Sequence, residues 1–253
     1  MSERDRPSSY RLRRPGGDVD PSRIINAPGI VLAIVLVTIF FFVLMLLAPQ
    51  RAAFIIEYAA AVSPQRLVAG PEANGGILRM LSPLIAHMFV HAGIVHLLMN
   101  SAFLLAFGAP VARRMGAENA LQSFAAFASA SMFLTLYLLS GVVGALAYVA
   151  LHANEQALLV GASGGVSGLL GALVRFAFNR STLFGPEAAS LSSLFSPVVL
   201  TWSAVIVGMN IVFGAFGGAF AGGASIAWEA HIGGYFFGLL AYPFFERAAR
   251  AFR

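Results

Sequence analysis

Windows of roughly 20 apolar residues recur along this chain, each long enough to cross a hydrocarbon core about 30 Å thick at about 1.5 Å per helical residue. Six are read, approximately over 29–48, 83–108, 124–151, 157–178, 197–216 and 226–245. Of the 253 residues, 58% are hydrophobic and only 11% charged, whereas a soluble domain carries about 25% charge. Water cannot be the main solvent. In hydrocarbon a spanning segment must satisfy its own backbone hydrogen bonds, so the expectation is an all-α polytopic membrane protein, a six-transmembrane-helix bundle over residues 28–246. The first 27 residues, with RDRPSS, RLRRPGG and DVDPSR, hold too little apolar surface to fold alone and read as a cytoplasmic tail. Residues 247–253 form a second, short one.

A net charge of +5 could point to nucleic acid, but topology accounts for it better. Six of the sixteen arginines precede the first span, and Arg113, Arg114, Arg175, Arg180, Arg247, Arg250 and Arg253 follow the second, fourth and sixth. The opposite side holds only Arg51, Arg66 and Arg79. The positive-inside rule then puts both termini in the cytoplasm. The first span begins too late and runs too long for a cleaved signal peptide and reads as an uncleaved anchor. The absence of lysine fits a chain encoded in GC-rich DNA, and the expected location is a bacterial inner membrane. No cysteine is present, which excludes disulfides, a thiol nucleophile and a Cys-based metal site.

Polar side chains without partners are costly in hydrocarbon, so those inside the spans carry the information. Three clusters qualify: HMFVHAGIVHLLMN in the second span, VGASGGVSGLLGA opening the fourth and WEAHIGGYFFG opening the sixth. On the topology above, all three lie toward the outer face. On a continuous second helix His96 and Asn100 share a face, with His91 about 140° away. His87 and His91 form a separate i, i+4 pair, read as interfacial hydrogen bonding, because zinc would need a third ligand or an HExxH motif. Gly164, Gly168 and Gly171 make a stripe on the fourth span, and Gly234 and Gly238 make another on the sixth. If the stripes face each other, Ser163 and His231 reach similar depth, where a hydroxyl and an imidazole can pair as nucleophile and base. Singly, each feature has a bland explanation in helix packing or a satisfied structural histidine; together they supply a hydrolytic site without a metal or other cofactor.

These residues resemble the rhomboid family of intramembrane serine proteases. The family's GxSG motif is met by Gly161, Ala162, Ser163 and Gly164, its AHxxG motif by Ala230, His231 and Gly234, and its second-helix pattern by His87, His91, His96 and Asn100. The resemblance covers roughly residues 78 to 245. It implies that Ser163 is the nucleophile and His231 its general base, with the oxyanion held by His96, Asn100 and the Ser163 backbone N–H. Glu229, two residues from His231 on a helix, should point away and is not counted as a third member. Two departures stand out. Many members carry an aromatic residue four positions after the nucleophile where this chain has Ser167, which leaves the bracing of His231 open, and an acidic residue common after the second helix is missing from GAPVARRMG.

The resemblance further implies substrates that are single-span membrane proteins, cut near the outer end of a helix able to unwind. Partners would be those substrates and the lipid bilayer. The Gly-rich stretch GAFGGAFAGGAS between the fifth and sixth spans could serve as a lid, and the loop from Arg51 to Leu78 could lie in the interface. The competing reading is a catalytically inactive rhomboid-like protein that binds or dislocates membrane helices. A small transporter would show polar sites at mid-membrane and internal repeats, and neither is found.

Overall fold

The computed structural model describes residues 27–178, 190–216 and 226–252. The N-terminal tail and most of the expected lid, residues 217–225, lie outside them. Helix α1 (Gly29–Leu47) starts after Pro28 and ends before Pro49. It leaves Leu36, Phe40, Leu46 and Leu47 exposed, the surface that meets lipid in a bilayer. Its first amide, on Gly29, donates to the Glu118 carbonyl at 2.8 Å, pinning it to the far end of the bundle.

Five short helices follow: α2 (Gln50–Ala60), α3 (Pro64–Val68), α4 (Gly70–Ala73), α5 (Ile77–Leu81) and α6 (Pro83–Ala86). Arg66 ties this segment together, donating to the Tyr58 carbonyl at 2.9 Å with its guanidinium over the Tyr58 ring. Phe54, Ile55, Val68, Ile77 and Leu78 remain exposed, an apolar surface suited to the bilayer interface.

The second span departs from the expected continuous helix. A 3₁₀ turn at His87–Phe89 is followed by non-helical backbone, and α7 (Ile94–Phe103) begins only after Gly93. The His87 carbonyl, which a continuous helix would give to residue 91, instead accepts from the Gly161 N–H at 2.8 Å. The angle reckoned between His91 and His96 therefore does not apply. From α7 the chain runs through a π-helical turn at Leu104–Gly108 into α8 (Ala109–Met115), which ends on Gly116 in the left-handed region.

Helix α9 (Phe124–Leu151) is capped by Ser123, whose hydroxyl accepts from the Ala126 N–H. Then come α10 (Ser163–Val174), α11 (Pro197–Phe216) and α12 (Trp228–Arg250). The all-α polytopic class stands, and among the described residues there are four helices long and apolar enough to cross a membrane: 29–47, 94–115, 124–151 and 197–214. α10, with 12 residues, spans only about 18 Å. α12 has the length but carries Glu229, Glu246, Arg247 and Arg250.

The core lies where α9, α10 and α12 meet. A methyl group on Gly234 would strike the Gly164 carbonyl, and one on Gly238 the Gly168 carbonyl, so these two helices touch backbone to backbone. Gly144 of α9 lies equally close to the Ala230 carbonyl. Lipid gives no hydrophobic drive between helices, and removing side chains in this way maximises the dispersion contact that holds them. At the other end Arg114 is buried, ion-paired with Glu246 at 2.7 Å and lying over the Phe176 ring, and Arg250 joins the same carboxylate at 2.8 Å. Arg175 donates to the carbonyls of Ser192 and Leu239. Arginines legible in sequence as topology markers thus also hold helix ends together.

Candidate active site

The site forms where α10 begins. Gly161 has φ +117°, a conformation that penalises any side chain, and a Cβ there would also run into the His96 ring. The turn it makes ends in Ala162, and α10 starts at Ser163 with no side chain capping it. The first-turn amides, that of Ser163 included, therefore have no acceptor within the helix. Across the glycine seam, α12 presents His231 at the same level: the Ser163 hydroxyl and His231 Nε2 are 2.8 Å apart.

The second span supports this turn from the opposite side. His87 donates through Nδ1 to the Pro83 carbonyl, while its own carbonyl holds Gly161. His91 Nε2 accepts from the Ala162 N–H at 3.4 Å, and its ring meets that of His96 edge to face at 4.9 Å. His87 and His91 thus both bond the turn that carries Ser163. His96 packs against Gly161, and Asn100 is buried one turn below, donating one amide hydrogen to the His96 carbonyl at 2.9 Å. The second hydrogen of that amide is available to another acceptor. Among the described residues no group of three His, Cys, Asp or Glu side chains is placed to hold a metal ion.

Glu229 is engaged away from Ser163 and His231. Its carboxylate meets His152 Nε2 at 3.0 Å, the other His152 nitrogen lies 3.0 Å from Glu155, and Tyr148 stacks on the ring. The hydrogen bond to Glu229, reinforced by Glu155, raises the His152 pKa above its ordinary value. His152 stands at the C-terminal end of α9 and Glu229 in the first turn of α12, so the basic and the acidic group each lie at the pole of the helix dipole that favours them.

One residue escaped the sequence reading. Asn210, in the middle of α11, sits with Oδ1 2.9 Å from His231 Nδ1. A strongly polar side chain inside an apolar stretch, VIVGMNIVF, was the available signal, since such groups in membrane helices need a partner. The brace that Ser167 left open is supplied from a different helix.

The Rhomboid domain family model matches residues 78–247. RHOMBOID-like protein 7 of Arabidopsis thaliana is 29% identical over 174 residues, covering 66% of this chain and 46% of that protein. RHOMBOID-like protein 4 of the same plant is 31% identical over 158 residues, or 62% and 32% of the two chains. A Bacillus subtilis (strain 168) protein named "Putative rhomboid protease YdcA" is 26% identical over 145 residues, 57% of this chain and 64% of its own. The chain thus spans between about a third and two thirds of the length of these relatives. With two thirds of its residues matched, from just before the second expected span to the end of the last, the chain belongs to the rhomboid family.

Proposed function

We propose that this protein is an intramembrane serine endopeptidase that hydrolyses peptide bonds in or near the transmembrane helices of other membrane proteins. The observation that carries this reading is the 2.8 Å contact between the Ser163 hydroxyl and His231 Nε2, at an uncapped helix start. One relative, moreover, has protease in its name.

In the reaction, Ser163 Oγ attacks the scissile carbonyl carbon while His231 Nε2 takes the hydroxyl proton. Negative charge grows on the carbonyl oxygen, where the Ser163 N–H, the free amide hydrogen of Asn100 and the His96 ring stabilise it. Collapse of the tetrahedral intermediate breaks the C–N bond, and His231 returns its proton to the leaving amine. Water then attacks the acyl-enzyme by the same route and releases Ser163. A peptide bond in an intact helix has its carbonyl bonded and its faces covered, so the substrate segment must unwind first. Single-span proteins with small or helix-weakening residues near the outer face meet that need. The fold crosses the bilayer six times, with α10 and α12 completing the four longer apolar helices, and both termini face the cytoplasm.

The direct test is cleavage of a single-span model substrate by purified protein in detergent. Ser163→Ala should abolish product without loss of folded protein. Robust cleavage by Ser163→Ala, or inhibition by a chelator but not by serine-directed reagents, would overturn the reading. A wild-type protein that binds the substrate and never cuts it would favour the inactive rhomboid-like alternative.

A further inference from the structure

We infer that Asn210 is a positioning residue for catalysis, the third member of a Ser163–His231–Asn210 relay that fixes the tautomer of the catalytic imidazole. The inference deepens the protease reading and rests on it.

The Asn210 amide is held in one orientation. Its Nδ2 donates to the Ile206 carbonyl one turn earlier on α11, at 2.9 Å. Rotating the amide by 180° would set oxygen against that carbonyl oxygen, so the bond to Ile206 decides which end faces α12. The oxygen does, 2.9 Å from His231 Nδ1. An amide oxygen can only accept, so Nδ1 must carry the hydrogen. In a neutral imidazole that leaves Nε2 with its lone pair exposed, and Nε2 is the nitrogen that faces the Ser163 hydroxyl. Hydrogen bonds therefore run in one direction, from Ser163 to His231 to Asn210 to the Ile206 carbonyl. Without Asn210 the ring is free to adopt the other tautomer, with hydrogen on Nε2, which cannot take a proton from serine. When His231 becomes the imidazolium during attack, the same amide oxygen receives a charge-assisted bond and favours the cation.

Placement on α11 adds a second argument. This helix exposes Leu200, Val205, Met209, Ile211, Val212 and Phe213, and it meets α12 through Val199 and Ile206 together with two polar side chains, Ser203 and Asn210. Two turns earlier along the same seam, Ser203 bonds the Tyr235 hydroxyl at 2.8 Å. An asparagine in the middle of such a helix is costly unless partnered, and its partner here is the catalytic base.

The test compares Asn210→Ala and Asn210→Asp with wild type, reading kcat across pH and, separately, the ring-nitrogen NMR shifts of His231 in protein labelled at histidine. Loss of the acceptor should cost about 10- to 100-fold in kcat, part of the contribution of a positioned general base, with little change in KM. The His231 spectrum of Asn210→Ala should move from the Nδ1–H form toward a mixture. Asn210→Asp keeps an acceptor oxygen and should recover much of the lost rate, with the acidic limb of its pH profile displaced upward if the carboxylate is charged. A purely structural asparagine would instead lower the melting temperature of both variants, with kcat per folded molecule and the NMR shifts unmoved, and that result overturns the inference. If no variant matters because wild-type turnover does not depend on Ser163, the protease reading itself has failed. Normal Asn210→Ala turnover in a protein that Ser163→Ala inactivates refutes the role of Asn210 alone.

Discussion

Two seams meet at the His231 imidazole, and they are built on opposite principles. Between α10 and α12 the contact is backbone to backbone, with Gly234 against the Gly164 carbonyl and Gly238 against that of Gly168. Between α11 and α12 it is made by side chains: Val199 and Ile206 cluster with Tyr235 and Leu239, Ser203 bonds Tyr235 and Asn210 bonds His231, and while a Cβ on Gly214 of α11 would strike the Trp228 ring, one on Gly208 would meet nothing within 4 Å. The first seam fixes the distance from Ser163 to His231 because neither backbone can approach or retreat without opening a void or a clash. The second fixes only the orientation of the ring. Distance is thus set by a part of the molecule that tolerates almost no change, and orientation by one that can be altered a hydrogen bond at a time.

The largest effect should follow from filling the tight seam. Gly238→Val is expected to destabilise the protein by about 3 kcal/mol, the upper end for overpacking, and to lower the yield of folded protein. Gly208→Ala on the loose helix, where a Cβ meets nothing, should be neutral or stabilise by up to about 1 kcal/mol, the helix preference for Ala over Gly. A thermal melt of the two side by side would break the comparison if they shifted equally.

Asn100→Ala should reduce turnover by roughly 10- to 1,000-fold, the range for losing one oxyanion donor, with substrate affinity nearly unchanged. If Asn100 serves only to hold the His96 carbonyl, its loss appears instead as a lowered melting temperature with normal turnover per folded molecule. Ser203→Ala sharpens the contrast within the loose seam. It removes an ordinary intramembrane hydrogen bond, about 0.6 kcal/mol, and should leave kcat intact, whereas Asn210→Ala on the same helix should not.

The smallest expected effect is a pH dependence outside the membrane spans. Hydrogen bonds to Glu229 and Glu155 raise the folded-state pKa of His152 above the unfolded value of 6.5. Its stabilisation is fully present below that value and fades as pH rises through the folded pKa. The difference in melting temperature between wild type and His152→Gln should therefore be greater at pH 6 than at pH 9. The reverse trend would contradict the assignment.

Much of this architecture is legible in the sequence because membranes punish ambiguity. Long apolar windows can only be helices, and a stripe of glycines invites close approach of another backbone. Spacing marks the stripes on α10 and α12 as faces that can meet, and in the fold Gly234 and Gly238 lie against the Gly164 and Gly168 carbonyls. Two features are not legible. The break at Val90–Gly93 depends on a long-range bond from Gly161 to the His87 carbonyl, and no local signal announces that a carbonyl will be claimed from elsewhere. Asn210 is visible as an odd residue in an apolar helix, but its partner lies 21 residues away along the chain and on another helix. Spacing rules relate residues on one helix; pairings between helices need the rotation of each about its axis.

The proposed protease activity stands or falls on Ser163 and His231 working as a nucleophile and its base. The most direct measurement is labelling of the purified protein by a serine-directed fluorophosphonate, with the modified residue located by mass spectrometry. The account predicts a single adduct on Ser163 in wild type, no adduct in Ser163→Ala and strongly slowed labelling in a folded His231→Ala, since a serine without its base is a poor nucleophile. Labelling at an undiminished rate in His231→Ala, or no labelling of Ser163 in folded wild-type protein, would contradict it.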